Sequence, residues 1–219
     1  FGFTERTGID MYDEAVSQTV SRENMTAVSL ASSAFGQTSA VTPIAMITAI
    51  SAAVNGGNLV QPHVVRQVLD SDGNIVETIG TTVKRQVISE TTSQTICSIL
   101  EDSVDNGHGK NAHVPGYRVG GKSGTSQKNQ GLSGEDDEQT YIASFVGFAP
   151  ADDPEIAVLI VLDNPNSPTG STYGGSLAGP VVQNILSETL PYLGFEPEYT
   201  EEELAVVASP VPDVVGALA

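Results

Sequence analysis

Gly120-Gly121-Lys122-Ser123-Gly124-Thr125-Ser126 is the segment on which the fold turns, because its letters fit two incompatible structures. Counted from Gly116, the spacing Gly-x4-Gly-Lys-Ser matches a phosphate-binding loop. Such a loop needs a buried strand before its first Gly and a helix starting at its Lys-Ser. Only Ala112-His113-Val114-Pro115 precedes Gly116, and a polar, Gly-containing stretch follows Ser123, so neither requirement is met. The other structure is an extended strand. Alternation then sends Lys122 and Gly124 to one side, Ser123 and Thr125 to the other. Glycines at 120, 121 and 124 would let a substrate backbone lie close against it. A cation and two hydroxyls suit a carboxylate, and a free strand N–H could help stabilise an oxyanion. A solvated Gly-rich edge strand with no ligand fits the same letters.

The flanking segments supply the rest of a mixed fold. Residues 140–149 and 155–162 read as strands, the second with the Val/Ile/Leu composition of a central strand. Only Pro150-Ala151-Asp152-Asp153-Pro154 separates them, which favours a turn and antiparallel pairing. Residues 89–105 predict a helix, with Ser89 as cap and Ile96, Ile99, Leu100 and Val104 at helical spacing. Residues 43–55 are apolar nearly all round and predict a buried helix, with Thr42 as cap, Pro43 in the first turn and Asn55-Gly56-Gly57 as the stop. Residues 25–35 predict a shorter helix. Runs 62–69 and 74–79 predict strands around the turn Ser71-Asp72-Gly73-Asn74. Downstream, Gly174-Gly175-Ser176 opens a helix to about Leu193, with Ser176 as N-cap rather than a nucleophile elbow.

Composition narrows the function. The 219 residues suffice for one sizeable core plus a small appendage. A formal charge of -18 repels phosphate backbones, so nucleic acid is not an expected partner. Cys97 is the one cysteine, which rules out an internal disulfide and a Cys-based metal cluster. His63, His108 and His113 lack metal-ligand spacing, and Glu135-Asp136-Asp137-Glu138 reads as a solvated loop, so no metal and no cofactor are expected. The longest apolar runs fall far short of the ~20 residues that span a bilayer. The chain opens at Phe1-Gly2-Phe3 with neither Met nor a basic segment, so a fragment is expected, with any anchor upstream.

Lys122-Ser123-Gly124-Thr125 resembles the Lys-Thr/Ser-Gly motif of penicillin-binding proteins and serine β-lactamases. The likeness extends in order along the chain. Phe1-Gly2-Phe3 through Thr7-Gly8-Ile9-Asp10 resembles the segment that follows the family's Ser-x-Asn motif. Ala34-Phe35-Gly36-Gln37 with Thr42-Pro43 resembles its Gly-Gln and Thr-Pro-x-Gln helix start, with Ala45-Met46 where a Gln-Met or Gln-Leu pair is usual. Asn55-Gly56-Gly57 with Gln61-Pro62-His63 resembles its Asn-Gly-Gly turn. Tyr141 to Pro150 is similar to the strand after the Lys-Ser-Gly segment in the monofunctional, high-molecular-weight class B transpeptidases. Tyr173-Gly174-Gly175-Ser176-Leu177-Ala178-Gly179-Pro180 is similar to the start of their C-terminal helix, and Ser209 to Ala219 resembles the opening of a PASTA module.

The resemblance implies an α/β (α+β) fold: an antiparallel sheet flanked by helices on both faces, of the β-lactamase/transpeptidase type and incomplete in this chain. It implies residues 1–195 as the C-terminal portion of the transpeptidase domain, 196–208 as an acidic linker and 209–219 as the truncated PASTA start. By resemblance, Lys122 supplies positive charge and orients the Ser-x-Asn serine. Ser123 and Thr125 bind the terminal carboxylate of a D-Ala-D-Ala stem peptide or a β-lactam, with Gly124 and Ser126 completing the binding strand, and the Thr125 backbone N–H completes the oxyanion hole. The family's nucleophile motif Ser-x-x-Lys is absent, as is Ser-x-Asn. Both are expected upstream, with an N-terminal membrane anchor on the extracytoplasmic face. The fold also implies that upstream strands pair with 155–162, so the fragment alone would expose that edge. The alternatives are a non-catalytic peptidoglycan- or β-lactam-binding module and, from the letters at 116–123, a nucleotide-binding domain.

Overall fold

The computed structural model describes residues 1–128, 140–168, 170–201 and 203–204. The PASTA-like segment 209–219 and the acidic run Glu135 to Glu138 lie outside the described residues.

Thr26 opens α1 (Ala27–Ser33) by a reciprocal capping box with Ser29. The next helix, α2 (Pro43–Val54), starts where the Thr42 hydroxyl accepts from Ala45 N–H at 3.3 Å, with Pro43 in its first turn. Ala45, Ala49, Ala52 and Val54 are buried on it. A short antiparallel pair follows, β1 (Asn58–Gln61) with β4 (Thr82–Gln86). Inserted between them is the exposed hairpin of β2 (Gln67–Leu69) and β3 (Ile75–Thr78). The expected strand at 62–69 therefore begins late. Pro62 offers no N–H, and the Asp10 carboxylate takes the N–H groups of Val64 and Val65 at 2.7 and 2.9 Å, away from any ladder. Ser89 caps α3 (Glu90–Asp105) as expected, accepting from Thr92 N–H at 3.1 Å.

The main sheet has the order β5-β6-β7: β5 (Gly120–Gln127), β6 (Tyr141–Ala149) and β7 (Ile156–Asp163), all antiparallel. Its register is unbroken from Gly120 opposite Phe148 to Gln127 opposite Tyr141. One face carries Phe145 and Gly147, against which Val182 and Leu186 pack from the last helix. The other carries Phe148, grouped with Val54 of α2 and Cys97 of α3. Phe145 and Phe148 are both fully buried, so each face has an aromatic centre. Helices thus cover both faces of an antiparallel sheet, as the resemblance implies.

The expected single helix 174–193 is two: α4 (Gly174–Leu177) and α5 (Gly179–Tyr192). Pro180 sits in the first turn of α5, where it lacks an N–H and blocks passage of a continuous helix. Ser176 is inside α4 and caps nothing; Tyr173 holds the N-cap position without a side-chain bond. After α5 the chain turns back under the domain. Glu198 N–H donates to the Gly116 carbonyl at 2.7 Å, and the Tyr117 hydroxyl donates to the Phe195 carbonyl at 3.0 Å. Among the described residues, no helix is long and apolar enough to cross a membrane.

Candidate active site

Lys122, Ser123, Gly124, Thr125 and Ser126 all lie on β5, the first outer strand of the sheet. The strand passes straight through Lys122-Ser123, where a phosphate loop requires a helix, so the nucleotide-binding reading is overturned. Gly116, its supposed first glycine, has φ +80 and is packed under Pro197 and Tyr199.

The glycines before the lysine serve the core and not a ligand. A Cβ on Gly120 would stand 2.2 Å from the Phe148 ring, and one on Gly121 would stand 2.6 Å from the Phe145 ring. The expected approach of a substrate backbone at these two positions is replaced by two phenyl rings. At Gly124 the space belongs to the Ser144 side chain, whose Oγ would be 2.5 Å from a Cβ there.

Alternation holds, because the register has no bulge. Ser123 and Thr125 face the α4 side. The Ser123 Cβ is 3.7 Å from where a Gly175 Cβ would be, and the Thr125 hydroxyl accepts from Gly174 N–H at 3.0 Å. Lys122, Gly124 and Ser126 take the opposite face. The Lys122 side chain is exposed and wraps the strand edge, its Nζ donating to the Ser123 carbonyl at 2.9 Å.

The direction of the backbone groups follows from the ends of the ladder. Lys128 N–H donates to Thr140 O, and Ala151 N–H donates to Arg118 O, both at 2.9 Å. In an antiparallel strand the N–H and C=O of one residue face the same side, and successive residues alternate. Even-numbered residues of β5 therefore face β6, and Ser123 and Thr125 direct their N–H and C=O groups to the open edge. The bond from Lys122 Nζ to the outward Ser123 carbonyl agrees with that parity. One short edge thus carries an ammonium group and the Thr125 N–H, with two hydroxyl side chains on the adjoining α4 face and no described strand paired to it. Those groups can bind an anion and can stabilise negative charge developing on an oxygen.

Sequence reasoning missed the wall behind this edge. Gly174 lies on the strand pair itself: a Cβ there would be 2.1 Å from Ser144 O and 2.3 Å from Gly124 O. The Asn111 side-chain amide donates to Gly175 O at 3.0 Å. The doubled glycine at 174–175 was the available signal, since two chains approach this closely only where a side chain is missing. A cavity of about 530 Å³ lies elsewhere, between α3, the end of α2 and the β6–β7 turn, with Arg118 bridging Glu101 and Asp152 at its rim.

Known proteins resemble this chain over most of its length. Residues 1–187 match the model of the penicillin binding protein transpeptidase domain. The chain is 42% identical over 222 aligned positions to Stage V sporulation protein D of Bacillus subtilis, covering 99% of this chain and 34% of that protein. It is 32% identical over 168 positions to the peptidoglycan D,D-transpeptidase FtsI homolog of Mesostigma viride, covering 71% of this chain and 28% of that protein. Penicillin-binding protein 3 of Mycobacterium tuberculosis, solved with ampicillin, superposes with a TM-score of 0.79 at 26% identity, over 91% of this chain and 45% of that one. The apo transpeptidase domain of Burkholderia pseudomallei penicillin-binding protein 3 gives 0.73 at 30% identity, over 91% and 57%. The chain spans about a third of the length of the curated relatives it matches.

Proposed function

The chain belongs to the class B penicillin-binding protein transpeptidase family, and from that premise we propose that it forms one wall of a serine acyl-transfer site that cross-links peptidoglycan. The observation that carries the reading is the open edge of β5, where the Lys122 ammonium group and the Thr125 N–H lie, with the Ser123 and Thr125 side chains on the adjoining α4 face.

In this reading the terminal carboxylate of a D-Ala-D-Ala stem peptide, or of a β-lactam, lies beside β5. The Lys122 ammonium group sets a favourable potential and orients a serine of the Ser-x-Asn motif. Ser123 and Thr125 donate their hydroxyls to the carboxylate, while Gly124 and Ser126 complete the strand it lies on. As the nucleophile attacks the scissile carbonyl, its oxygen gains negative charge beside the Thr125 N–H. One such donor is worth ~3 kcal/mol of barrier. A strand edge alone is not a cleft, and enclosed binding needs a second wall. The absence of Ser-x-x-Lys and Ser-x-Asn from this sequence supports a nucleophile supplied by chain outside it. Residues 1–195 are read as the C-terminal portion of the domain, 196–208 as an acidic linker and 209–219 as the start of a PASTA module. The full protein is placed on the extracytoplasmic face of the cell membrane, held by an anchor outside this sequence.

A fluorescent β-lactam tests the reading. The full protein should be labelled covalently, and Lys122→Ala should slow labelling strongly. The present chain alone should not be labelled, since it offers no acylation route. Labelling of the full protein at an unchanged rate after Lys122→Ala would remove Lys122 from the site. No labelling at all would favour a binding module without chemistry.

A further inference from the structure

We propose that Asn111 is a positioning residue which, through the Gly174-Gly175 elbow, holds the Thr125 hydroxyl as a hydrogen-bond donor toward the ligand's carboxylate. The inference rests on the reading of Thr125 as a carboxylate-binding residue.

A hydroxyl has one proton to donate and two lone pairs that accept. At Thr125 one lone pair is already engaged, by Gly174 N–H at 3.0 Å. The proton is therefore directed away from Gly174. A carboxylate accepts and never donates, so a hydroxyl fixed in this sense meets it without first turning. A hydroxyl free to rotate would give up that freedom on binding, and fixing it beforehand raises affinity.

The amide that fixes it belongs to a buried glycine pair that has no side chains of its own to hold it. The helix behind it, α4, is only four residues long and has no side-chain cap. Gly174 has no side chain to anchor it, and no room for one against Ser144 O and Gly124 O. What ties the elbow down laterally is Asn111, whose Nδ2 donates to Gly175 O at 3.0 Å from the short 3-10 turn Lys110–Ala112. The Asn111 Cβ also lies 3.3 Å from where a Gly179 Cβ would be, which lodges its stem against the start of α5. Asn111 is exposed overall, so its loss leaves the core intact.

Acylation rate constants of the full protein with two forms of one β-lactam, the free carboxylate and its methyl ester, test this directly. Asn111→Ala should slow acylation by the carboxylate form by roughly 3- to 10-fold, the worth of one hydrogen bond. The ester's rate should stay the same. Asn111→Asp, near-isosteric and unable to donate when ionised, should behave like Asn111→Ala. In the Thr125→Val background neither change should slow the carboxylate form further. Equal slowing of both forms by Asn111→Ala, or no slowing of either, would overturn the positioning role while leaving the carboxylate reading standing. Should Thr125→Val itself leave the preference for the carboxylate form unchanged, the carboxylate reading falls and this inference falls with it.

Discussion

The phenyl ring of Phe148 occupies the place where a side chain on Gly120 would stand, with its Cζ 2.2 Å from that Cβ position. The two residues are register partners on β5 and β6. The ring that fills the α2–α3 side of the sheet thus fixes glycine at the start of the binding strand. Gly120→Ala should destabilise the full protein by ~1–3 kcal/mol through overpacking. Phe148→Ala should cost ~3–5 kcal/mol through the lost burial and the cavity left behind. Denaturant unfolding of the double variant should show less than the sum of the two, because the alanine methyl group enters the space the ring vacates. Strict additivity would contradict the contact.

Glu203 fastens the segment that follows α5. Its carboxylate accepts from Thr200 N–H at 2.7 Å and Gly116 N–H at 3.1 Å, and it lies 3.1 Å from His113 Nε2, whose Nδ1 is 3.5 Å from Asp105. The Thr200 N–H, helped by Gly116 and His113 and opposed by burial, holds the Glu203 carboxyl below its ordinary value of 4.5. A depressed carboxylate contributes in full above its unfolded value and loses that contribution as pH falls through the folded one. Hydrogen exchange at Gly116 and limited proteolysis of 195–201 should therefore report loosening below pH 4.5. Glu203→Gln should abolish that pH dependence. The same acid transition in Glu203→Gln would show that another group controls the segment.

β7 has no described partner on its far side, and its residues are mostly half-buried or exposed. An apolar strand edge of this kind recruits another strand. The present chain expressed alone should self-associate in a concentration-dependent way, measured by analytical ultracentrifugation. Val161→Lys, at a position 43% exposed on β7, should reduce it. A monomer with strong exchange protection throughout 156–163 would refute this expectation.

The central sheet was legible in the sequence. Residues 140–149 and 155–162 carry a β-branched and aromatic composition that only burial explains, and their observed limits differ by one residue at most ends. The β1–β4 pair was not legible. Thr82-Val83-Lys84-Arg85-Gln86 is exposed throughout, so no face marks it, and its partner lies across an intervening hairpin. The break between α4 and α5 had a signal, Pro180, outweighed by the helical spacing of Val182, Leu186 and Leu190 after it. At the site, the alternation of Ser123 and Thr125 followed from strand periodicity alone. The Gly174–Thr125 and Asn111–Gly175 bonds span 49 and 64 residues, and no local pattern encodes such closures.

The central claim is that the Thr125 backbone N–H points out of the sheet and stabilises the oxyanion. Thr125→Val removes the hydroxyl and keeps the N–H, whereas Thr125→Pro removes both. Proline is tolerated where a strand N–H faces away from the ladder, so the fold should survive both changes. β-Lactam acylation rates of the two variants in the full protein isolate the backbone donor. Thr125→Pro should acylate about 10²- to 10³-fold more slowly than Thr125→Val, the effect of losing one oxyanion donor. Equal rates in two folded variants would contradict the claim.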